Sequence, residues 1–281
     1  MMKITELIRL IRPINCLITF ISVWIGAVVA GDTHLSPEIF AAALSAFFIA
    51  AFGNVTNDIF DIVVDSIGKP DRPLVKGTIS KKDAQIAAVI LAGAGLALSF
   101  AVGAWATLVA LVAIAALLAY TPFLKGIPFV GNLTVAVIAA LAFVYGGMAV
   151  GRPFGALILS GFAFLMHFGR ELVKDIEDRA ADARAGHRTA ATLSHARPAR
   201  LAAIVIFTLL IVATFIPAAI GFYGAGYFLA VLIGTDFFLV ESAHLLARTK
   251  SKTEMHRIAV WLKVAMPFGL LAVLIGHLGR R

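Results

Sequence analysis

A chain of 281 residues that is 60% apolar and only 14% charged has too little polar surface to cover a water-soluble globule, which runs nearer 45–50% and about 25%. Its single cysteine, Cys16, excludes an internal disulfide and a thiolate metal cluster. No two of the seven histidines lie three to five residues apart, so a helical or short-loop zinc pair is excluded as well.

About 20 residues cross about 30 Å of hydrocarbon at 1.5 Å each. Nine segments are apolar enough to do so: 14–31, 37–65, 83–103, 105–121, 131–150, 154–178, 198–218, 224–247 and 257–278. The first follows Glu6 and Arg12-Pro13 and has no small-residue cleavage site after it, which predicts a retained span and not a removable signal peptide. Gly103 and Ala104 are nearly all that separates the third from the fourth. The connections are too short for a soluble domain, so the expected fold is an all-α membrane protein of one domain over 1–281.

Placing the N-terminus in the cytoplasm puts eighteen Lys and Arg on the inner side, among them Lys3, Arg9, Lys76, Arg188 and Lys250. Only Arg152, Arg280 and Arg281 fall on the other side, a strong positive-inside asymmetry. The net charge of +8 is accounted for by topology, and the interleaved aromatic and basic residues of a nucleic-acid binder are absent. The expected location is the cell membrane, with many passes and a cytoplasmic N-terminus.

The sixteen acidic residues are clustered: four lie between Asp58 and Asp71 and five between Glu171 and Asp182. Ionisable groups at the ends of apolar spans are costly and mark function. Asp58-Ile59-Phe60-Asp61-Ile62-Val63-Val64-Asp65 and Asp175-Ile176-Glu177-Asp178-Arg179-Ala180-Ala181-Asp182 both read D-I-x-D-x-x-x-D, 117 residues apart. They end the second and sixth segments and so share one membrane face. The pairing suggests a duplicated four-helix unit carrying motifs 57–73 and 171–189.

Helical spacing predicts an oxygen-bearing stripe of Asn57, Asp61 and Asp65, and another of Glu171, Asp175, Asp178 and Asp182. Carboxylates this close repel one another unless a cation stands between them. An oxygen-only donor set suits Mg²⁺, which is commonly held by one or two carboxylates together with substrate phosphates. Ser66-Ile67-Gly68-Lys69-Pro70-Asp71-Arg72-Pro73 follows the first motif as a stiffened loop with a Lys and an Arg placed for phosphate. Lys125 stands at the next turn on the same side. Elsewhere, Asp236, Glu241 and His244 in the eighth segment are expected to pack or to form a local ion pair, Glu241 and His244 being spaced for one, and His167 is expected to be a structural hydrogen-bonder.

The stretch Asn54 to Asp65 continued by Lys69-Pro70-Asp71-Arg72-Pro73 resembles the first signature of the UbiA superfamily of intramembrane prenyltransferases. Asp175 to Asp182 with Gly186 and Thr189 resembles the second. Arg12-Pro13, Tyr120 with Lys125, and Gly131-Asn132 also match. Tyr120 is five residues from Lys125, where members acting on aromatic acceptors place them four apart, and Arg179-Ala180-Ala181 stands where a Gly often precedes the last Asp.

The resemblance implies nine helices around a central cavity with a cytoplasmic cap, and Mg²⁺-dependent transfer of a polyprenyl group from its diphosphate to an acceptor. Asn57, Asp61, Asp65, Asp175, Asp178 and Asp182 are then the expected catalytic set, with all but Asp175 as metal ligands. Arg12, Asn54, Lys69, Arg72, Lys125, Tyr145 and Lys174 are the expected substrate-binding residues, Tyr145 by a π-face for an allylic cation, Arg12 and Lys174 for an anionic acceptor. The phrases Arg12 to Leu17, Gly131 to Val135 and Arg170 to Asp178 look most like members that attach geranylgeranyl to geranylgeranylglyceryl phosphate in archaeal ether-lipid synthesis. The expected partners are a prenyl diphosphate, a lipid-phosphate acceptor and membrane lipid, with no nucleic acid and no obligate protein. The alternatives are prenylation of a quinone or tetrapyrrole precursor, hydrolysis of the diphosphate, and an ion or proton-coupled transporter.

Overall fold

The computed structural model describes residues 4–31, 36–184, 186, 188–248 and 251–280; Lys3, Lys250 and Arg281 of the charge pattern lie outside them. All regular elements among these residues are helical. A short α1 (Ile4–Ile11) meets α2 (Pro13–Val29) at a 50° bend. Arg12 makes that corner with φ 56°, and Pro13 brings no N–H to it. Asn15 N bonds Arg12 O at 3.0 Å, and the carbonyl of Ile11 it passes over is taken by Asn54 Nδ2 at 2.9 Å and Cys16 Sγ at 3.2 Å.

α3 (Pro37–Phe60) starts with Ser36 accepting from the Ile39 N–H, and Pro37 fills the first helical position, where a missing N–H is harmless. α4 (Ile62–Gly68) follows after Asp61 alone. α5 (Lys81–Phe100) is capped by Ser80, which accepts from Asp83 N and donates to its carboxylate. The turn at 101–103, ending on Gly103 with φ 132°, separates it from α6 (Ala104–Ala119). α7 (Val130–Ala149), α8 (Leu157–Arg184) and α9 (Arg197–Ala219) follow. The eighth span is α10 (Ala225–Val231) and α11 (Phe237–Arg248), joined by a π-helical turn over Leu232–Asp236, and α12 (Lys252–Leu278) closes the chain.

Eight of these runs are long and apolar enough to cross a membrane, and the bent pair α1–α2 makes nine. Their outer faces carry Val89, Trp105 and Phe154, each at least 73% exposed, as suits lipid and not water. α2 and α7 cross in backbone contact: a Cβ at Gly146 would lie 1.9 Å from Val23 O, and one at Gly26 2.3 Å from Phe143 O. Such small-residue crossings replace the hydrophobic drive that is missing in lipid.

Two expectations are corrected. The second span ends at Phe60, not at 65, since Asp61 interrupts the helix. Among the described residues the His167 side chain makes no hydrogen bond, since spacing along a helix permits such a contact without enforcing it, while Glu241 and His244, expected to pack or to pair, form no ion pair there. Asp236 does find a partner, the Thr214 hydroxyl at 3.1 Å.

Candidate active site

α8 is 28 residues long, about 42 Å at 1.5 Å per residue, and so outruns the hydrocarbon and carries the second acidic motif on its last turns. The first motif is carried by the end of α3 and by α4. Although Asp61 breaks the helix, Asp61 N still bonds Asn57 O at 2.9 Å, Asp65 N bonds Asp61 O at 2.8 Å and Lys69 N bonds Asp65 O at 2.7 Å. Asn57, Asp61, Asp65 and Lys69 thereby keep one face.

All thirteen residues expected at the site line a single cavity of about 350 Å³. Its walls come from α2, α3, α4, α6, α7, α8 and α12. Within it most of the carboxylates already hold donors of the protein itself. Asp61 Oδ2 accepts from Lys125 Nζ at 2.6 Å and from Asn57 Nδ2 at 2.8 Å. Thr121 in turn donates to Asn57 Oδ1 at 3.2 Å. Arg72 bonds Asp65 at 2.8 Å and also Asp58, whose same oxygen takes Arg12. Lys69 from the loop after α4 reaches Asp178 on α8 at 2.6 Å. Asn132 on α7 donates to Asp175 at 3.0 Å, and Glu171 holds Arg170 at 2.9 Å and Lys174 at 2.7 Å.

Lys125 is aimed by a π-helical turn over Tyr120–Leu124, closed by Lys125 N on Tyr120 O at 2.7 Å. That turn accommodates the five-residue spacing, and both side chains line the cavity. Asn54 lines it too, but its amide nitrogen is committed to the α1–α2 corner. Asp65 is 5% exposed, and burial pushes its carboxyl up to about 6 against the pull of Arg72.

Among the described residues no three His, Cys, Asp or Glu side chains converge on a point where a metal would sit. Lys and Arg donors contact several of these carboxylates instead. The donor set nevertheless fits a hard cation: it is all oxygen, and Asp61 Oδ1 is buried with no hydrogen-bond partner while Oδ2 has two. A buried carboxylate oxygen left bare calls for a missing partner.

Sequence reasoning passed over Asp58, which anchors two arginines, and over Arg170 and Lys263, which also line the cavity. The signal was present. Of 24 Lys and Arg, the positive-inside tally uses all but Arg170, Lys174 and Lys263, which sit inside spans, where a charge is costly.

Residues 19–265 match the UbiA prenyltransferase family. The chain is 34% identical over 282 residues to the digeranylgeranylglyceryl phosphate synthase of Thermococcus kodakarensis, covering 99% of this chain and 100% of that one. A solved structure described as digeranylgeranylglyceryl phosphate synthase in membranes superimposes with a TM-score of 0.78 at 28% identity, over 99% of this chain and 100% of the other. A UbiA homologue from Archaeoglobus fulgidus bound to GPP and Mg²⁺ shares the fold, with a TM-score of 0.66 at 17% identity over 96% and 99%.

Proposed function

We propose that this chain, which belongs to the UbiA prenyltransferase family, transfers a geranylgeranyl group from its diphosphate to geranylgeranylglyceryl phosphate, forming the second ether of an archaeal membrane lipid. The observation that carries the reading is the Lys69–Asp178 contact, which joins the two acidic motifs and the basic loop at one cavity mouth. The acceptor is supported by the likeness to the Thermococcus kodakarensis synthase over the whole chain. A transporter would be expected to carry its acids near the bilayer midplane; here they stand where α3 and α8 leave their apolar stretches, among basic loops suited to an anion.

Asn57, Asp61, Asp65, Asp178 and Asp182 are the residues that would hold Mg²⁺, with Asp175 beside them. When bound, Mg²⁺ supplies Lewis-acid neutralisation of the charge that develops on the leaving diphosphate. The chain's own part is separate. Lys69, Arg72 and Lys125, now spent on carboxylates, exchange those partners for phosphate oxygens when the donor enters, which leaves the acids free for the cation that accompanies it. These three donors then stabilise the pair of electrons that departs with the diphosphate as the allylic C–O bond breaks. Tyr145, 4% exposed and part of the cavity wall, offers a π-face to the allylic cation and excludes water from it. The free hydroxyl oxygen of the glyceryl phosphate attacks the cation carbon and loses its proton, completing the ether. The basic loops and the motif-bearing ends are taken to face the cytoplasm, following the charge asymmetry.

The test is to incubate the purified protein with Mg²⁺, prenyl diphosphates of several lengths and a set of lipid-phosphate and aromatic acceptors, and to identify products by mass. A digeranylgeranylglyceryl phosphate product made only with Mg²⁺ is expected. A prenylated aromatic with no lipid product would move the chain to another acceptor class, and free prenol alone would make it a phosphatase.

A further inference from the structure

The cations of the cavity divide into two groups by what they already hold. Lys69, Arg72 and Lys125 stand on the α4 and α6 side and pair with the two Asp motifs. Arg12 and Lys174, the residues the sequence offers for an anionic acceptor, are also spent, on Asp58 and Glu171. Lys263 is different. It lines the cavity from α12, among the described residues it has no carboxylate and no hydrogen-bond partner, and Arg170 and Arg12 on the same cavity wall repel it. Arg170 lines the same cavity from α8, with one guanidinium nitrogen on Glu171 and its Nε buried without a partner among the described residues. An ammonium and an unfilled guanidinium donor inside a membrane protein, repelling one another, are stable together only if an anion comes between them.

Resting on the function proposed above, we infer that Lys263 and Arg170 form a second anion site, distinct from the diphosphate site, which binds the phosphate monoester of the lipid acceptor. Two anionic substrates in one cavity repel each other unless each brings or finds its own cations. The Asp motifs with Lys69, Arg72 and Lys125 answer the donor, and the α8–α12 pair answers the acceptor. The position suits an amphiphile. One turn along each helix, His167 and Met266 line both this cavity and an adjoining chamber of about 70 Å³ whose other walls are largely apolar, among them Phe143, Leu210 and Val273. The pair therefore stands where polar wall gives way to apolar wall, as headgroup does to chain.

The experiment compares wild type with Lys263→Gln and Lys263→Arg, using geranylgeranylglyceryl phosphate and its dephosphorylated alcohol as acceptors at saturating donor. Wild type should prefer the phosphate. Lys263→Gln should raise the KM for the phosphorylated acceptor about tenfold or more, the size of one lost charge-assisted contact. It should leave the donor KM unchanged and the rate on the alcohol nearly so, while Lys263→Arg restores the preference. An equal loss on both acceptors, or an unchanged phosphate KM, would overturn the second site while leaving the transferase reading in place. Wild type that prenylates neither acceptor would reject the proposed function and this site with it.

Discussion

Lys69 and Asp178 are 109 residues apart in the chain, yet Nζ stands 2.6 Å from Oδ2. The contact ties the loop after α4 to the end of α8. It is also half-open: the side chains are 40% and 30% exposed, and ion pairs of that kind contribute only about 0–1 kcal/mol. Asp178→Ala should therefore melt within a few degrees of wild type while losing transfer entirely, read by product mass and thermal unfolding in detergent. Lys69→Ala should raise the KM for the prenyl diphosphate about tenfold and spare the acceptor KM. An effect confined to the acceptor would assign the loop to the other substrate.

Asp61 differs because it is buried with its partner. Its pair with Lys125 is 5% and 17% exposed, and losing one member of such a pair costs about 3–5 kcal/mol. Asp61→Asn should lower stability, cut transfer by at least about 100-fold through the lost carboxylate, and raise the Mg²⁺ concentration needed for half-maximal rate. Adding Lys125→Met should recover much of the stability and none of the activity. Recovery of both would mean that Asp61 serves only to neutralise Lys125.

The nine spans were legible because a run of apolar residues long enough to cross a bilayer has few other uses, and their ends shift mainly where charge and apolar patterning disagree. The second span shows this: Ile62, Val63 and Val64 extend the apolar run, but the chain leaves its helix at Asp61. The acidic stripe was legible for a different reason, since i to i+4 spacing survives the one-residue break through the hydrogen bonds of Asp61 and Asp65. What spacing does not encode is which cation meets which acid. Arg72 lies seven residues from Asp65 and binds it, whereas Lys69 skips the nearer acids for Asp178. Asn54 reads as part of the motif, yet its amide nitrogen serves the Ile11 carbonyl, which becomes available because the chain turns at Arg12 and Asn15 N bonds Arg12 O there.

The α2–α7 crossing makes a stability prediction independent of the chemistry. A methyl at Gly146 would stand 1.9 Å from Val23 O and 2.8 Å from Ala27 N, and backbone atoms cannot swing aside as a flexible side chain can. Gly146→Ala should cost about 1–3 kcal/mol or more through overpacking. Gly93 in the middle of α5 has nothing within 4 Å of the same methyl, so Gly93→Ala should be neutral or slightly stabilising, by up to about 1 kcal/mol from helix propensity. Thermal unfolding of the two variants side by side checks this. Equal behaviour would mean that the two helices are free to part.

Tyr145 separates ring from hydroxyl. Ser45 gives its only hydroxyl hydrogen to Gly95 O at 2.7 Å, so the 3.0 Å contact to Tyr145 has the tyrosine as donor. That bond is buried and structural, contributing about 1 kcal/mol, whereas the role proposed at the cavity that Tyr145 lines belongs to its ring. A desolvated cation–π contact is worth about 2 kcal/mol, which is about 30-fold in rate when the cation exists only at the transition state. Tyr145→Phe should therefore keep kcat within about threefold and lose a little stability. Tyr145→Leu should lower kcat by about tenfold or more, with both substrate KM values held, because neither ground state carries the allylic charge. If the phenylalanine variant loses as much kcat as the leucine one, the hydroxyl and not the π-face is what the reaction uses.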